Sequence, residues 1–152
     1  MRPDQVGELL AQAVAELSEA RRHLDFSQQQ VSGLPDTLAG ATEPQLESVE
    51  AFTSRFARAV DLLVNKVLRS LDRLELKPPG TLLDTVNRAE QRGFIARASD
   101  LREMKDVRNM IAHDYAGAKA AEIFAYCREQ KPLFDAVCDR VMAHVRQVLS
   151  SP

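Results

Sequence analysis

Apolar residues recur along this chain at the spacing of an α-helix, and that regularity restricts the fold more than any other feature. Val6, Leu10, Ala13, Val14, Leu17, Ala20 and Leu24 trace one stripe between charged positions, which predicts a first helix from about Pro3 to Gln30, with Pro3 suited to its first turn. Ser32-Gly33-Leu34-Pro35-Asp36 and Gly40 then break the pattern into a loop of about ten residues. Thr42 can cap a second helix and Gln45, three positions on, can answer it in a capping box. Phe52, Phe56, Val60, Leu63, Val67, Leu71 and Leu74 form its core face, so it runs to about Leu74. Lys77-Pro78-Pro79-Gly80 is a stop, and Thr81 caps a short helix with Leu82, Leu83, Val86 and Ala89 as its buried side, ended at Gly93. A further helix covers residues 99–115 and is ended by Gly117. Ala120 to Lys131 is helical too, after which Pro132 either kinks that helix or starts a new one reaching Leu149. No stretch alternates as a strand would. The expected fold is all-α, an up-and-down helical bundle of about five helices.

With 152 residues and 45% hydrophobic content, a single domain over residues 1–152 with a modest core is expected. Cys127 and Cys138 lie eleven apart in a helical pattern and read as small buried side chains, not a disulfide framework or a zinc site. The stretch Met1 to Leu10 has no secretory apolar region, and about 18 apolar residues never run together, so a cytoplasmic protein without membrane contact is expected. Three dispersed His residues lack metal-ligand spacing, no Gly-rich phosphate loop is present, and neither metal nor cofactor is expected. A net charge of −2 argues against nonspecific binding to bulk nucleic acid, so any RNA contact must rest on a local patch.

One stretch reads as chemistry. Asp106-Val107-Arg108-Asn109-Met110-Ile111-Ala112-His113-Asp114-Tyr115 places a permanent cation, an amide, an imidazole and a phenol within about three helical turns. Leu101, Met104, Val107, Ile111 and Tyr115 form the apolar stripe, which leaves Arg102, Asp106, Asn109 and His113 on the opposite face. A lone helical His beside an Asp is ordinarily a solvated surface residue. Here Asn109, four residues earlier, could hold one ring nitrogen, with Asp106 a further turn back. Arg108 and His113 are five apart, about 140° around an ideal helix, so one helix aims both at a single phosphate only if its last turn loosens. Two such helices packed antiparallel across a twofold would bring an Arg and a His from each chain into one cleft. Tyr115 reads either as a core-edge aromatic or, in the final turn, as a phenol that swings its hydroxyl into solvent.

Other charges are open to two readings. Arg55, Arg58, Lys66, Arg69 and Arg73 share a face of the second helix, opposed only at places such as Asp61 and Asp72, and form either a solvated face or a track for phosphates or an acidic partner. Arg88, Arg92 and Arg97 could widen a phosphate-binding surface. His23, in Arg21-Arg22-His23-Leu24-Asp25, and His144, opposite Val141, Val145 and Val148, are expected to face solvent.

The run Arg108 to Tyr115 fits R-x-x-x-x-H-x-Y with Asn after the Arg, and in this it resembles the HEPN superfamily and its HepT-like toxin ribonucleases. The resemblance extends more loosely from about Leu46 to Leu149. It implies a homodimer whose paired Arg108 and His113 residues cut RNA without metal; on the reading of the residues themselves Asn109 would orient the imidazole, with Asp106, Asp114 and Arg102 as supporting residues. It also implies a toxin-antitoxin pair in which a nucleotidyltransferase antitoxin silences the toxin by AMPylation of Tyr115. RNA cleavage asks for a base on the 2′-hydroxyl, a cation on the phosphate and an acid on the leaving 5′-oxygen, all of which the motif offers. The alternatives are a non-catalytic helical adaptor, serving as the substrate-binding subunit of a nucleotidyltransferase, and a plain structural helical domain.

Overall fold

A computed structural model describes residues 2–151, so Met1 and Pro152, the outermost positions of the expected domain and the first of the Met1–Leu10 stretch, lie outside the described residues. Helix α1 spans Pro3–Val31, α2 Glu43–Asp61, α3 Arg69–Leu74, α4 Leu82–Gln91, α5 Ala98–His113 and α6 Ala120–Ser150. A π-helical stretch, Leu62–Leu68, joins α2 to α3, so the rod expected to end at about Leu74 does so but is not α-helical throughout. The described residues contain no strand. Counting α2 to α3 as one rod gives the five helices that the apolar spacing predicts.

The local reasons are those expected. Thr42 and Gln45 form the capping box of α2, with Thr42 N–H donating to Gln45 Oε1 at 2.8 Å. Thr81 and Asp84 do the same for α4, where Thr81 N–H donates to Asp84 Oδ2 at 2.8 Å and this bond holds the Asp84 carboxyl below its ordinary value. Gly93, at φ +81°, ends α4. α6 runs unbroken through Pro132, so no new helix starts there.

The α1 stripe turns Leu10, Ala13, Leu17 and Leu24 inward against α2, the π stretch and α3. Phe52, Phe56, Leu63, Val67 and Leu71 form the centre, and Phe124 and Phe134 of α6 close on Phe52 and Phe56 at ring centroid distances of 5.9 and 5.7 Å. α5 rests on α2, α4 and α6 through Leu101, Met104 and Val107, all with no exposed surface. Two expectations need correction. Leu83 is exposed, and Thr85 takes its place beside Val86 and Ala89 on the buried side of α4, where Leu82 is only half-buried. His144 does not face open solvent: it is half-buried, 3.3 Å from Glu75 Oε1 and edge-on to Phe94 at 5.3 Å. No described helix is long and apolar enough to cross a membrane.

Candidate active site

The buried stripe of α5 fixes which way the motif faces. Because Leu101, Met104 and Val107 point into the core, Arg102, Asp106, Arg108, Asn109 and His113 are all exposed. Arg102, Asp106, Arg108 and Asn109 line one open groove of about 390 Å³ together with Leu82 at the start of α4. His113 stands beyond that groove as the last residue of α5.

Arg108 and Asn109 each have a definable partner. Arg108 Nη1 lies 2.9 Å from Asp61 Oδ2, across the α2–α5 contact, and Lys105 Nζ lies 2.8 Å from the other oxygen of the same carboxylate. Asp61 is 13% exposed at its side chain whereas Arg108 is 65% exposed, so the guanidinium is anchored at one nitrogen and open at the others. The Asn109 amide donates to Asp106 Oδ1 at 3.0 Å, one turn back along the helix, and in this structure it does not bond to the His113 ring.

The helix ends two residues short of the expected Tyr115. Asp114 leaves helical geometry at φ −92° and ψ 63°, and both of its carboxylate oxygens accept the Lys119 N–H at 3.1 Å. Gly117, at φ +69°, closes the turn by donating its N–H to the Asp114 carbonyl at 3.1 Å. Asp114 thereby ties the end of α5 to the start of α6. Tyr115 leaves the apolar stripe, stands 91% exposed at the tip of this turn, and keeps its ring edge-on to His113 at 6.5 Å. Of its two sequence readings, the structure bears the solvent-facing phenol.

The basic face of the second rod is divided. The π stretch, with its i→i+5 bonding, changes the angular relation between the residues on either side of it. Arg55 is turned to α1, donating to Ser27 Oγ at 2.7 Å and to the His23 carbonyl at 3.1 Å, and shares a hollow with Arg58 and His23. His23 is exposed, as expected, and lies 3.1 Å from Glu19. Lys66 reaches Glu16 at 3.0 Å, while Arg69 and Arg73 line a separate pocket near Lys77. Arg88 and Arg92 do not widen a surface toward α5, because they turn in to Asp72 at 3.1 and 2.6 Å, and Arg97 pairs with Asp100 at 3.2 Å. The Cys127 and Cys138 thiols are buried and free, and burial pushes both up to about 12, so they remain protonated at neutral pH and are poor nucleophiles. No cluster of potential metal ligands occurs among the described residues.

Sequence reasoning missed Asp61 and Lys105 as neighbours of Arg108. Asp61 was legible only as an acid interrupting a basic face. Its partner lies on another helix, a relation that helical spacing within one segment does not encode.

An all-helical chain that presents Arg108, Asn109 and His113 outward at the end of one helix, with Tyr115 just beyond, has the form expected of a HEPN-type protein. The family Ribonuclease HepT-like matches residues 10–141, and the chain belongs to that family. The match begins within α1 and ends within α6, so it covers more of the amino-terminal part than the motif-based resemblance did. No curated protein and no solved structure matches the chain significantly.

Proposed function

We propose that this protein is a metal-independent endoribonuclease toxin of a toxin-antitoxin pair, acting at a composite site formed when two α5 helices face each other in a homodimer. The observation that carries this reading is the match to a ribonuclease family in a chain whose motif residues stand on an exposed helix face. Within one chain His113 lies outside the groove that Arg108 lines. A second copy related by a twofold supplies a facing Arg108 and His113.

In the proposed reaction one neutral His113 takes the proton of the RNA 2′-hydroxyl, and that oxygen attacks the adjacent phosphorus. The bond to the 5′-oxygen breaks, and the second His113, as imidazolium, delivers a proton to it. The products are a 2′,3′-cyclic phosphate and a 5′-hydroxyl. The open nitrogens of Arg108 hold the phosphate oxygens as charge develops. Asn109 orients His113 in the assembled site, exchanging its bond to Asp106. Arg102 adds charge along the groove, and Asp114 fixes the turn beside His113. The proposed partner is a nucleotidyltransferase antitoxin. The Tyr115 oxygen attacks the α-phosphorus of ATP, loses its proton and releases pyrophosphate, and the attached AMP then occupies the cations that RNA requires.

The test is cleavage of single-stranded RNA in excess EDTA, with cyclic phosphate ends as product. Arg108→Ala and His113→Ala each should fold and lose about 10²-fold or more, equivalent to about 2.7 kcal/mol of transition-state stabilisation. The active preparation should scatter light as a dimer at micromolar concentration. Full activity in either variant would refute the assignment. A wild type inactive on diverse RNAs would leave the adaptor reading in its place.

A further inference from the structure

We propose that the pocket between the end of α3, the Lys77–Gly80 turn and α4 is a phosphate-binding site that holds one backbone phosphate of the RNA away from the scissile bond. The inference rests on the ribonuclease reading for the identity of its ligand. The pocket holds about 130 Å³ and is lined by Arg69, Arg73, Lys77 and Arg88, with Asp72 as the acid in its wall. Both oxygens of Asp72 are already engaged, by Arg88 at 3.1 Å and Arg92 at 2.6 Å. Arg92 also reaches Glu75 at 2.9 Å, so Asp72 and Glu75 together balance the two inner arginines, and among the described residues no further acid lines the pocket to compensate Arg69, Arg73 and Lys77. Arg69 is half-buried beside this cavity, and its Nε has no hydrogen-bond partner among the described residues. In a chain of net charge −2, three cations around one small cavity are a local anion trap.

Size and position select the anion. A cavity of about 130 Å³ admits a phosphate group but falls below the roughly 300 Å³ typical of sites that enclose a whole small organic ligand. The same Arg69 and Arg73 also line an adjoining hollow of about 330 Å³, where Glu16 takes up the charge of Lys66 at 3.0 Å, so the free cations on this side are those at the pocket. On its other side lies the start of α4. Gly80 and Thr85 line the pocket there, while Leu82, between them in sequence, lines the α5 groove with Arg102 and Arg108. A single strand crossing the first turn of α4 thus meets the motif groove on one side and the phosphate pocket on the other.

The experiment measures RNA binding against salt in the His113→Ala background, by anisotropy of a labelled single-stranded RNA. It also measures the thermal stabilisation given by inorganic phosphate. Arg73→Gln combined with Lys77→Gln should weaken RNA binding roughly tenfold at 0.1 M salt and reduce the salt slope by about 0.7, the value of one single-strand phosphate contact. Both residues are exposed, so the fold is retained. Arg73→Lys with Lys77→Arg, which conserves both charges, should keep the slope. Inorganic phosphate should raise the melting temperature of wild type more than that of the Gln pair. Equal slopes and equal phosphate responses in the Gln pair and its parent would overturn the site. A lost phosphate response with an unchanged RNA slope would make it a free-anion site and overturn the RNA assignment. Neither arm reads cleavage, so failure of the ribonuclease reading shows separately, as a wild type that does not cut.

Discussion

Two cations in this molecule meet carboxylates in opposite ways. Lys131 of α6 is 3% exposed at its side chain and holds Asp25 of α1 and Asp135 of its own helix, each at 2.6 Å. Arg108 of α5 is 65% exposed and shares one carboxylate, Asp61, with Lys105. The first is dry and doubly paired, so its charge is spent on joining α1 to α6. The second retains open donors, which its proposed role of gripping a transient anion requires. Arg21 extends the closed cluster, reaching Asp139 at 3.0 Å and Asp135 at 3.4 Å from the α1 side.

Breaking the closed side should produce the larger effect on stability. Breaking a buried pair ordinarily costs about 3–5 kcal/mol, and the 61% exposure of Asp25 reduces this, so Lys131→Ala should cost about 2 kcal/mol. That lowers the melting temperature by roughly 4–8 °C for a chain of this size and leaves cleavage per folded molecule unchanged. Burial works against the Lys131 charge, but the hydrogen bonds it donates to Asp135 and Asp25 outweigh it and raise the ammonium above the ordinary 10.5. A raised folded value stabilises fully below the unfolded one and is lost as pH climbs through the folded one. The gap between wild type and variant in thermal melts should therefore hold across neutral pH and close only in strong alkali. A gap that vanished at pH 7 would break the distinction drawn between the two cations.

What was legible in the sequence divides along the same line. The stripes of the two longest amino-terminal segments name their inward faces, so the Leu10–Leu24 and Phe52–Leu71 faces and the outward motif followed from spacing alone, whereas on α4 the stripe misplaced Leu83. Pairings between helices did not follow. Asp61 with Arg108 and Asp25 with Lys131 join segments 47 and 106 residues apart, and nothing periodic relates them. Nor could periodicity show the π stretch at Leu62–Leu68, which splits a face that looked continuous. The early end of α5 escaped for a different reason: the spacing carries the stripe on to Tyr115, but the Asp114 carboxylate takes the Lys119 N–H and the helix ends at His113.

The open side can be sharpened through Asp61. If this carboxylate steadies Arg108 in the groove, Asp61→Asn should lower RNA cleavage about fivefold, through a poorly aimed guanidinium, and cost about 1 kcal/mol in stability. Asp61→Glu should recover most of the activity. A structural role alone would lower the melting temperature without moving the rate per folded molecule. A rise in cleavage would mean that Asp61 restrains Arg108 and competes with the phosphate.

The smallest effect on fold and rate belongs to Tyr115, and the contrast with the only other tyrosine makes it informative. Tyr126 has its hydroxyl buried without a partner among the described residues, and burial, with Glu103 nearby, pushes its phenol well above the ordinary value. A buried, protonated phenol is a poor acceptor for nucleotidyl transfer. Tyr115 is 91% exposed and its hydroxyl contributes no hydrogen bond within the described residues, so Tyr115→Phe should shift stability by less than about 0.5 kcal/mol and leave most of the cleavage intact. Incubated with the proposed nucleotidyltransferase partner and ATP, wild type and Tyr126→Phe should both gain the mass of AMP and lose cleavage. Tyr115→Phe should gain nothing and remain active. Equal mass gains on wild type and Tyr115→Phe would place the modification on another residue, and no gain on any of the three would remove AMP transfer from the proposed function while leaving the roles of Arg108 and His113 standing.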